Sequence, residues 1–335
     1  MINILKKLGE SMKEGKIPSE LLRELVFNNI KVKHEDVILG PEIGEDCTAI
    51  EFGDYACVLS TDPITGAEKG IGALAVHISC NDVASSGVRP IALLITIMAP
   101  LSTTEDDIRI IMKDAGEAAA LLNVEIAGGH TEITSAVNKV IVSTTAIGKI
   151  LKHKIVKTSG AQIGDDVVMT KYAGLEGTAI LAKDRELELR DKLTDEQLEK
   201  AKNLSSQISV VKEGVLAGEI GVNSMHDVTE GGILGAAWEV AESSGTGVEI
   251  HLGSIPVLHE TKQICDIFNL NPYRLISSGS MIISCSNGSD LVEQFKNAGI
   301  TATVIGKIIE KERVIIENGI KKELEPPEPD ELFKA

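Results

Sequence analysis

Four short acidic motifs stand out in the chain: Gly44-Glu45-Asp46, Thr61-Asp62, Asn81-Asp82 and His226-Asp227. They lie too far apart for one helix face to hold them. If they act together, the fold must gather them, with Asp227 reaching in from a second half of the chain. Hard carboxylate oxygens with no nearby thiolate or histidine pair suit Mg2+ or Mn2+ rather than zinc. Taken singly, each is equally a turn or cap aspartate. Beside them are two glycine-rich segments, Ala127-Gly128-Gly129-His130-Thr131-Glu132 after a predicted strand and Thr229-Glu230-Gly231-Gly232 opening a predicted helix. Glycines let backbone N–H groups approach phosphate oxygens, and a helix start adds favourable partial charge. There is no Walker A loop and no G-x-G-x-x-G fingerprint, so neither a P-loop nucleotidase nor a standard dinucleotide domain is indicated. Cys47 reads as a small buried hydrophobe before it reads as a nucleophile. Lys171 and Arg89 could meet phosphate or pair with carboxylates, and Gly164-Asp165-Asp166 reads as a turn.

The elements that must position these residues follow from pattern. Runs at 55–60, 91–98, 124–127 and 140–147 predict strands, and helical spacing over 72–86 and 103–122 separates them. Thr103-Thr104 with Asp106-Asp107 resembles a capping box. That alternation predicts an α/β layer domain. The first forty residues predict a polar, helical docking or lid element, residues 1–40. A lysine-rich connector near 149–164 precedes a second domain with a strand at 167–170 and helices near 177–182, 195–216, 230–241 and 261–268. The tail, 325–335, is acidic and proline-rich, and predicts an extended or disordered segment.

Composition narrows the function. Fifty acidic against 33 basic side chains leave a net charge of −17, which disfavours a phosphate-backbone contact surface and so a nucleic-acid partner. Aromatics make up 3% of residues, too few for base-stacking platforms. The five cysteines show no metal or disulfide spacing, and no apolar stretch reaches membrane-spanning length, so a cytoplasmic protein with no membrane partner is expected. A protein this acidic repels a nucleotide unless metal ions sit between carboxylate and phosphate.

The motifs taken in order are specific. Gly44-Glu45-Asp46, Thr61-Asp62, the segment from Asn81-Asp82 through Gly87-Val88-Arg89-Pro90, Gly128-Gly129-His130-Thr131-Glu132 and His226-Asp227-Val228-Thr229-Glu230-Gly231-Gly232 together resemble the AIR synthase-related (PurM-like) superfamily over residues 40–308. Ser278-Gly279-Ser280 adds a late match. The run looks most like the HypE-like hydrogenase maturation group. The resemblance implies an α/β protein with α+β layers: an N-terminal domain, 41–150, whose sheets pair across a homodimer into a β-barrel, and a C-terminal α/β domain, 160–324. It implies ATP in the cleft between domains with Mg2+ bridging its phosphates to aspartates. Carried over residue by residue, Asp46, Asp62, Asp82 and Asp227 are metal candidates. Asp46, Asp62, Gly128, Gly129, Thr131 and Asp227 are cofactor-binding candidates, and Asp82, Asn81 and His130 are catalytic candidates.

The implied activity is ATP- and Mg-dependent activation of an amide, carbamoyl or phosphate oxygen of a small substrate, by phosphoryl transfer or dehydration, in hydrogenase maturation with a maturation partner protein. The alternatives are a non-catalytic ATP-binding assembly partner and a small-molecule kinase resembling thiamine-monophosphate kinase. Three departures bear on the branch. HypE-like proteins carry a C-terminal Pro-Arg-x-Cys, whereas this chain reads Asp330-Glu331-Leu332-Phe333-Lys334-Ala335 and its last cysteine is Cys285, so cyanide-ligand synthesis on its own tail is not expected. His130 stands where relatives place Asp after the glycines, and Glu45 where they place Asp. Selenophosphate synthetase fits poorly, because no cysteine precedes Cys47.

Overall fold

The computed structural model describes residues 15, 17–65 and 69–335; most of the expected N-terminal element before residue 17 lies outside the described residues. Helix α1 (Ser19–Leu25) follows Pro18 and has no buried residue. Its Arg23 reaches Glu242 at 3.1 Å. The first sheet contains β1 (Val37–Leu39), β2 (Thr48–Phe52), β3 (Tyr55–Ile64), β4 (Pro90–Ala99), β5 (Glu125–Ile133) and β6 (Ile141–Leu151) in the order β1-β2-β3-β6-β4-β5. Only β4 and β5 run parallel.

Period-two alternation gives the sheet two unlike faces. Ala56 and Val58 of β3, Leu93, Ile95 and Ile97 of β4, and Val142 and Ala146 of β6 are buried against α2 (Ile71–Ser85) and α3 (Glu105–Leu122). The opposite face is partly open, with Ile91 and Leu94 about half exposed and Leu59, Met98 and Ile147 half-buried. The capping box of α3 forms as its sequence predicts: the Asp107 N–H donates to Thr104 Oγ1 at 3.2 Å and the Thr104 N–H to Asp107 Oδ2 at 2.8 Å.

One element departs from its local pattern. The strand expected to stop before Gly128 continues through the glycines to Ile133, beside β4. A Cβ on Gly129 would lie 1.8 Å from the Ile95 carbonyl oxygen, so here glycine permits close strand pairing past a register shift rather than a turn.

The second sheet contains β7 (Asp166–Thr170), β8 (Ser224–Asp227), β9 (Gly247–His251), β10 (Met281–Cys285), β11 (Ala302–Ile309), β12 (Arg313–Glu317) and β13 (Ile320–Glu323), ordered β13-β12-β9-β11-β7-β10-β8. Its pairs are antiparallel except β9 with β12. The predicted alternation of strands and helices is thus realised mostly with antiparallel neighbours, a mixed helix and sheet architecture. Around it lie α4 (Leu175–Asp184), α5 (Glu186–Leu189), α6 (Asp195–Asn203), α7 (Val211–Ile220), α8 (Gly232–Ser244), α9 (His259–Phe268) and α10 (Gly288–Asn297).

The single helix predicted over 195–216 is α6, a 3-10 turn at Leu204–Gln207, and α7. The break exists because other segments hold it: Lys171 donates to the Gln207 and Ser209 carbonyls at 3.2 and 2.5 Å, and Asn81 bonds residues on either side of Ser209. Helix α7 packs on α2 at backbone contact distance; a Cβ on Gly214 would fall 2.2 Å from the Ala84 carbonyl oxygen. With the sheet, α3 and α7 around it, α2 is buried along nearly its whole length, as an all-round apolar helix should be.

The tail does not hang free. Asp330 is buried, and its carboxylate accepts the Gly231, Ile276 and Leu332 N–H groups at 2.8, 3.1 and 2.9 Å. Arg274 donates to the Glu325 carbonyl at 3.0 Å, and Arg185 to the Ala335 carbonyl at 2.5 Å. Proline content predicts an extended path here, while these long-range bonds fix where that path lies. Among the described residues no helix is long and apolar enough to cross a membrane.

Candidate metal and phosphate site

The four motif aspartates meet where the two halves of the chain touch. Asp82 lies in the last turn of α2 and is buried because that helix is enclosed. Ser60 Oγ donates to Asp82 Oδ2 at 2.6 Å, while the Asp82 carbonyl accepts from Ser85 Oγ at 2.6 Å and Cys47 Sγ at 3.1 Å. Asp62 follows Ser60 by two residues, so strand alternation sends both to the α2 face, and the Asp62 carboxyl bonds that of Asp82. Asp227 is the last residue of β8 and is buried. Asp46 comes from the loop before β2.

Burial first, then the charges of Asp227, Asp62 and Asp46, push the Asp82 carboxyl well above the usual carboxylate range. Four carboxylates so close repel one another, and a hydrogen bond between two of them requires a proton between them. That is an electrostatic arrangement a divalent cation relieves, and the donors are all oxygen, as Mg2+ prefers. The residues present therefore fit a magnesium ion.

His226 sits among these acids. Donor atoms of Asp46, His226 and Asp227 lie within 4.8 Å of one another, spacing that could hold a metal. The imidazole is otherwise engaged: Nδ1 is 2.7 Å from Asp46 Oδ2 and Nε2 is 3.0 Å from Glu239 Oε2. A carboxylate at each ring nitrogen calls for a hydrogen on each, leaving no lone pair for a metal. Burial alone would lower the His226 pKa, yet the Asp46 charge and bond, with those of Glu239, carry it well above its ordinary value. His226 is a buried cation that bridges a loop of the first half to α8 of the second.

The other residues singled out in the sequence divide. Asn81 points away from the acids: its Nδ2 donates to the Ile208 carbonyl and its Oδ1 accepts the Val210 N–H, both at 2.8 Å, so it joins α2 to the segment before α7. Glu45 accepts the Thr158 and Ser159 N–H groups at 3.2 and 3.0 Å, capping the connector between halves. Gly128, Gly129, His130 and Thr131 lie on β5, with β4 and β6 between them and the β3 strand of Asp62, about 14 Å away at normal strand spacing. His130 is exposed beside Glu132 at 3.4 Å. Within one chain the fold does not bring these four residues to the acids.

The Gly231 N–H, offered by the sequence to a phosphate, is taken by Asp330. Lys171 is held by Glu213 at 2.7 Å as well as by the carbonyls described above. Burial and the neighbouring acids push the Cys47 thiol up, so it is no thiolate nucleophile. Sequence reasoning missed Ser60 and Glu239, and named His226 only as part of the His226-Asp227 motif, without a role. Ser60 carried a signal, since it shares Asp62's strand face; Glu239 carried none, because its partner is defined only by the packing of α8.

Near Gly231 lies a further buried acid. Glu176, in the first turn of α4, is pushed up to about 7 by burial, with Asp330 and Glu230 adding to the effect and the Ser278 hydroxyl opposing it.

Comparison with known proteins shows the family and the fold. Residues 44–150 match the AIR synthase related protein N-terminal domain and residues 162–317 the corresponding C-terminal domain. A Methanocaldococcus jannaschii protein named for hydrogenase expression and formation is 30% identical over 81% of this chain and 80% of its own. The Cupriavidus necator carbamoyl dehydratase HypE is 26% identical over 74% of this chain and 70% of its own. Among solved structures, a HypE-HypF complex covers 92% of this chain and 99% of its own with a TM-score of 0.76 at 20% identity. HypE in complex with ATP covers 96% and 98% with a TM-score of 0.67 at 20% identity.

Proposed function

We propose that this chain, which belongs to the AIR synthase related protein family, binds ATP through magnesium at the four-aspartate junction and uses it to activate an amide, carbamoyl or phosphate oxygen of a small substrate. The observation that carries the reading is the convergence of Asp46, Asp62, Asp82 and Asp227 from four separate segments, with the Asp82 carboxyl raised by its burial and then by the charges of the other three. Magnesium, when bound, neutralises phosphate charge and draws electron density from the transferred group.

Each residue of the chain has its own part. Asp46, Asp62, Asp82 and Asp227 would hold the metal. Ser60 fixes one Asp82 oxygen by its 2.6 Å bond, and the enclosed α2 keeps water from screening the site. Asn81 ties the helix that carries Asp82 to the segment before α7 by clamping residues 208–210. A nucleotide held this way overcomes the repulsion of a protein with charge −17, because the metal reverses the local sign.

The relatives support a role in hydrogenase maturation: two are a carbamoyl dehydratase and a protein named for hydrogenase formation, and a HypE-HypF complex shares the fold, consistent with a maturation partner protein. Calorimetric titration with ATP tests the reading. Binding is expected with Mg2+ present and lost with a chelator, and ADP release is expected only when a carbamoyl, amide or phosphate-bearing acceptor is added. ATP binding indifferent to divalent metal would overturn the site.

A homodimer belongs to the same proposal. The sheet face opposite α2 leaves Ile91, Leu94, Leu59, Met98 and Ile147 partly open to solvent, more apolar surface than a solvated face needs. Pairing two such faces into a shared barrel would cover them and would place β5, with Gly128 to Thr131, at the subunit boundary. Light scattering should give a dimer at micromolar concentration and Leu94→Lys should give a monomer; a monomeric wild type refutes the pairing.

A further inference from the structure

Asp46 is the one acid of the four that no regular element carries. Asp62 is fixed by β3, Asp82 by α2 and Asp227 by β8, whereas Asp46 lies on the loop ahead of β2. A carboxylate on a loop has rotamer and backbone freedom that costs affinity when a ligand freezes it. Glu45 and Cys47 on either side anchor the backbone, while the further ties to this loop and to the Asp46 carboxylate come from the other half of the molecule, through α8. Ser243 Oγ donates to the Ile43 carbonyl, tying the loop's start to the helix. One turn earlier Glu239 accepts from His226 Nε2 at 3.0 Å, and His226 Nδ1 donates to Asp46 Oδ2 at 2.7 Å. The side chains of His226, Glu239 and Asp46 are 4, 16 and 19% exposed, so water does not loosen the chain of bonds.

From this geometry we infer that Glu239 is a positioning residue: through His226 it orients Asp46, presenting the remaining Asp46 oxygen beside Asp227 for the divalent cation. The inference rests on the magnesium reading above and assigns a role to two residues that reading leaves idle. Glu239 fixes which way the ring faces, the part a hydrogen-bonded carboxylate plays behind many ligating groups. His226 is thus a neighbour of the metal and not one of its ligands.

The test uses the full-length protein and Mn2+ alone as the probe, read by electron paramagnetic resonance. Glu239→Leu should weaken Mn2+ binding at least about tenfold. Glu239→Gln, which keeps an acceptor for the Nε2 hydrogen, should stay nearer wild type than Glu239→Leu. Undiminished Mn2+ binding by Glu239→Leu, or equal loss in both variants, overturns the inference while leaving the metal site standing. A wild type that binds no Mn2+ overturns the metal reading and this inference with it. A second measurement needs no variant. Nitrogen NMR of histidine-labelled wild type should show both His226 ring nitrogens bearing hydrogen with and without Mg2+. Loss of a ring hydrogen on adding Mg2+ would make His226 a ligand and overturn the inference.

Discussion

Asp82→Asn is expected to raise the melting temperature and, at the same time, to lower affinity for magnesium-bound ATP by about two orders of magnitude, roughly 3 kcal/mol. Asp82 is buried among Asp227, Asp62 and Asp46, and its ionised form is opposed by burial and by all three charges. An asparagine has nearly the same shape. Its carbonyl can keep the Ser60 hydroxyl bond, now 2.6 Å to Asp82 Oδ2, and its amide can donate to Asp62, where the native pair needs a proton. The apo protein therefore no longer has to take up a proton, or bear the repulsion, at this buried position, and it keeps its bonds. The metal loses a charged oxygen donor that an amide does not replace. Thermal melts and calorimetry on one preparation check both halves. Unchanged affinity would remove Asp82 from the site, and a sharp loss of stability would mean that its charge holds the fold instead.

The second large effect concerns pH. Glu176 titrates at about 7 in the folded protein, chiefly because it is buried, against about 4.3 in an unfolded chain. Between those values the folded state holds a proton that the unfolded state has released, so stability falls as pH rises. The contribution is complete below about pH 4.3, declines through neutrality, and leaves a deficit of about 3 kcal/mol once the folded group ionises. Glu176→Gln removes the ionisation. The variant should match wild type near pH 4.5 and exceed it by several degrees in melting temperature at pH 8. Parallel stability curves across that range would show that Glu176 does not titrate there. The effect reaches the tail as well, because Asp330 is one of the acids facing Glu176.

Much of the site could be read from the chain. Asp46, Asp62, Asp82 and Asp227 stand at the edges of predicted elements, and the fold gathers all four. The capping box at Thr104 and the helix over 72–86 follow from local pattern, while the enclosure of α2 comes from the packing of α3 and α7 on it. Three expectations changed for physical reasons. The glycines at 128 and 129 look like a turn, but parallel pairing with β4 draws them into a strand. Residues 195–216 have a continuous helical pattern, but Asn81 and Lys171 bind the carbonyls and N–H of 207–210 and interrupt it. The proline-rich tail looks unbound, but the Asp330 carboxylate finds three backbone donors.

Sequence by itself determined the chemistry available to this protein: hard oxygen donors, an acidic surface that needs a counter-ion to accept a polyanion, and thiols without metal spacing. It also determined most elements, because helix and strand periods and caps are encoded within a few residues. Only the tertiary structure decided which groups face one another. His226 meets Asp46 across 180 positions of chain and Asn81 meets Val210 across 129. No periodicity records such pairs, since each is set by how whole elements pack. The same packing sorted the candidates, leaving four acids and one imidazole together and His130 on an exposed strand beyond two others.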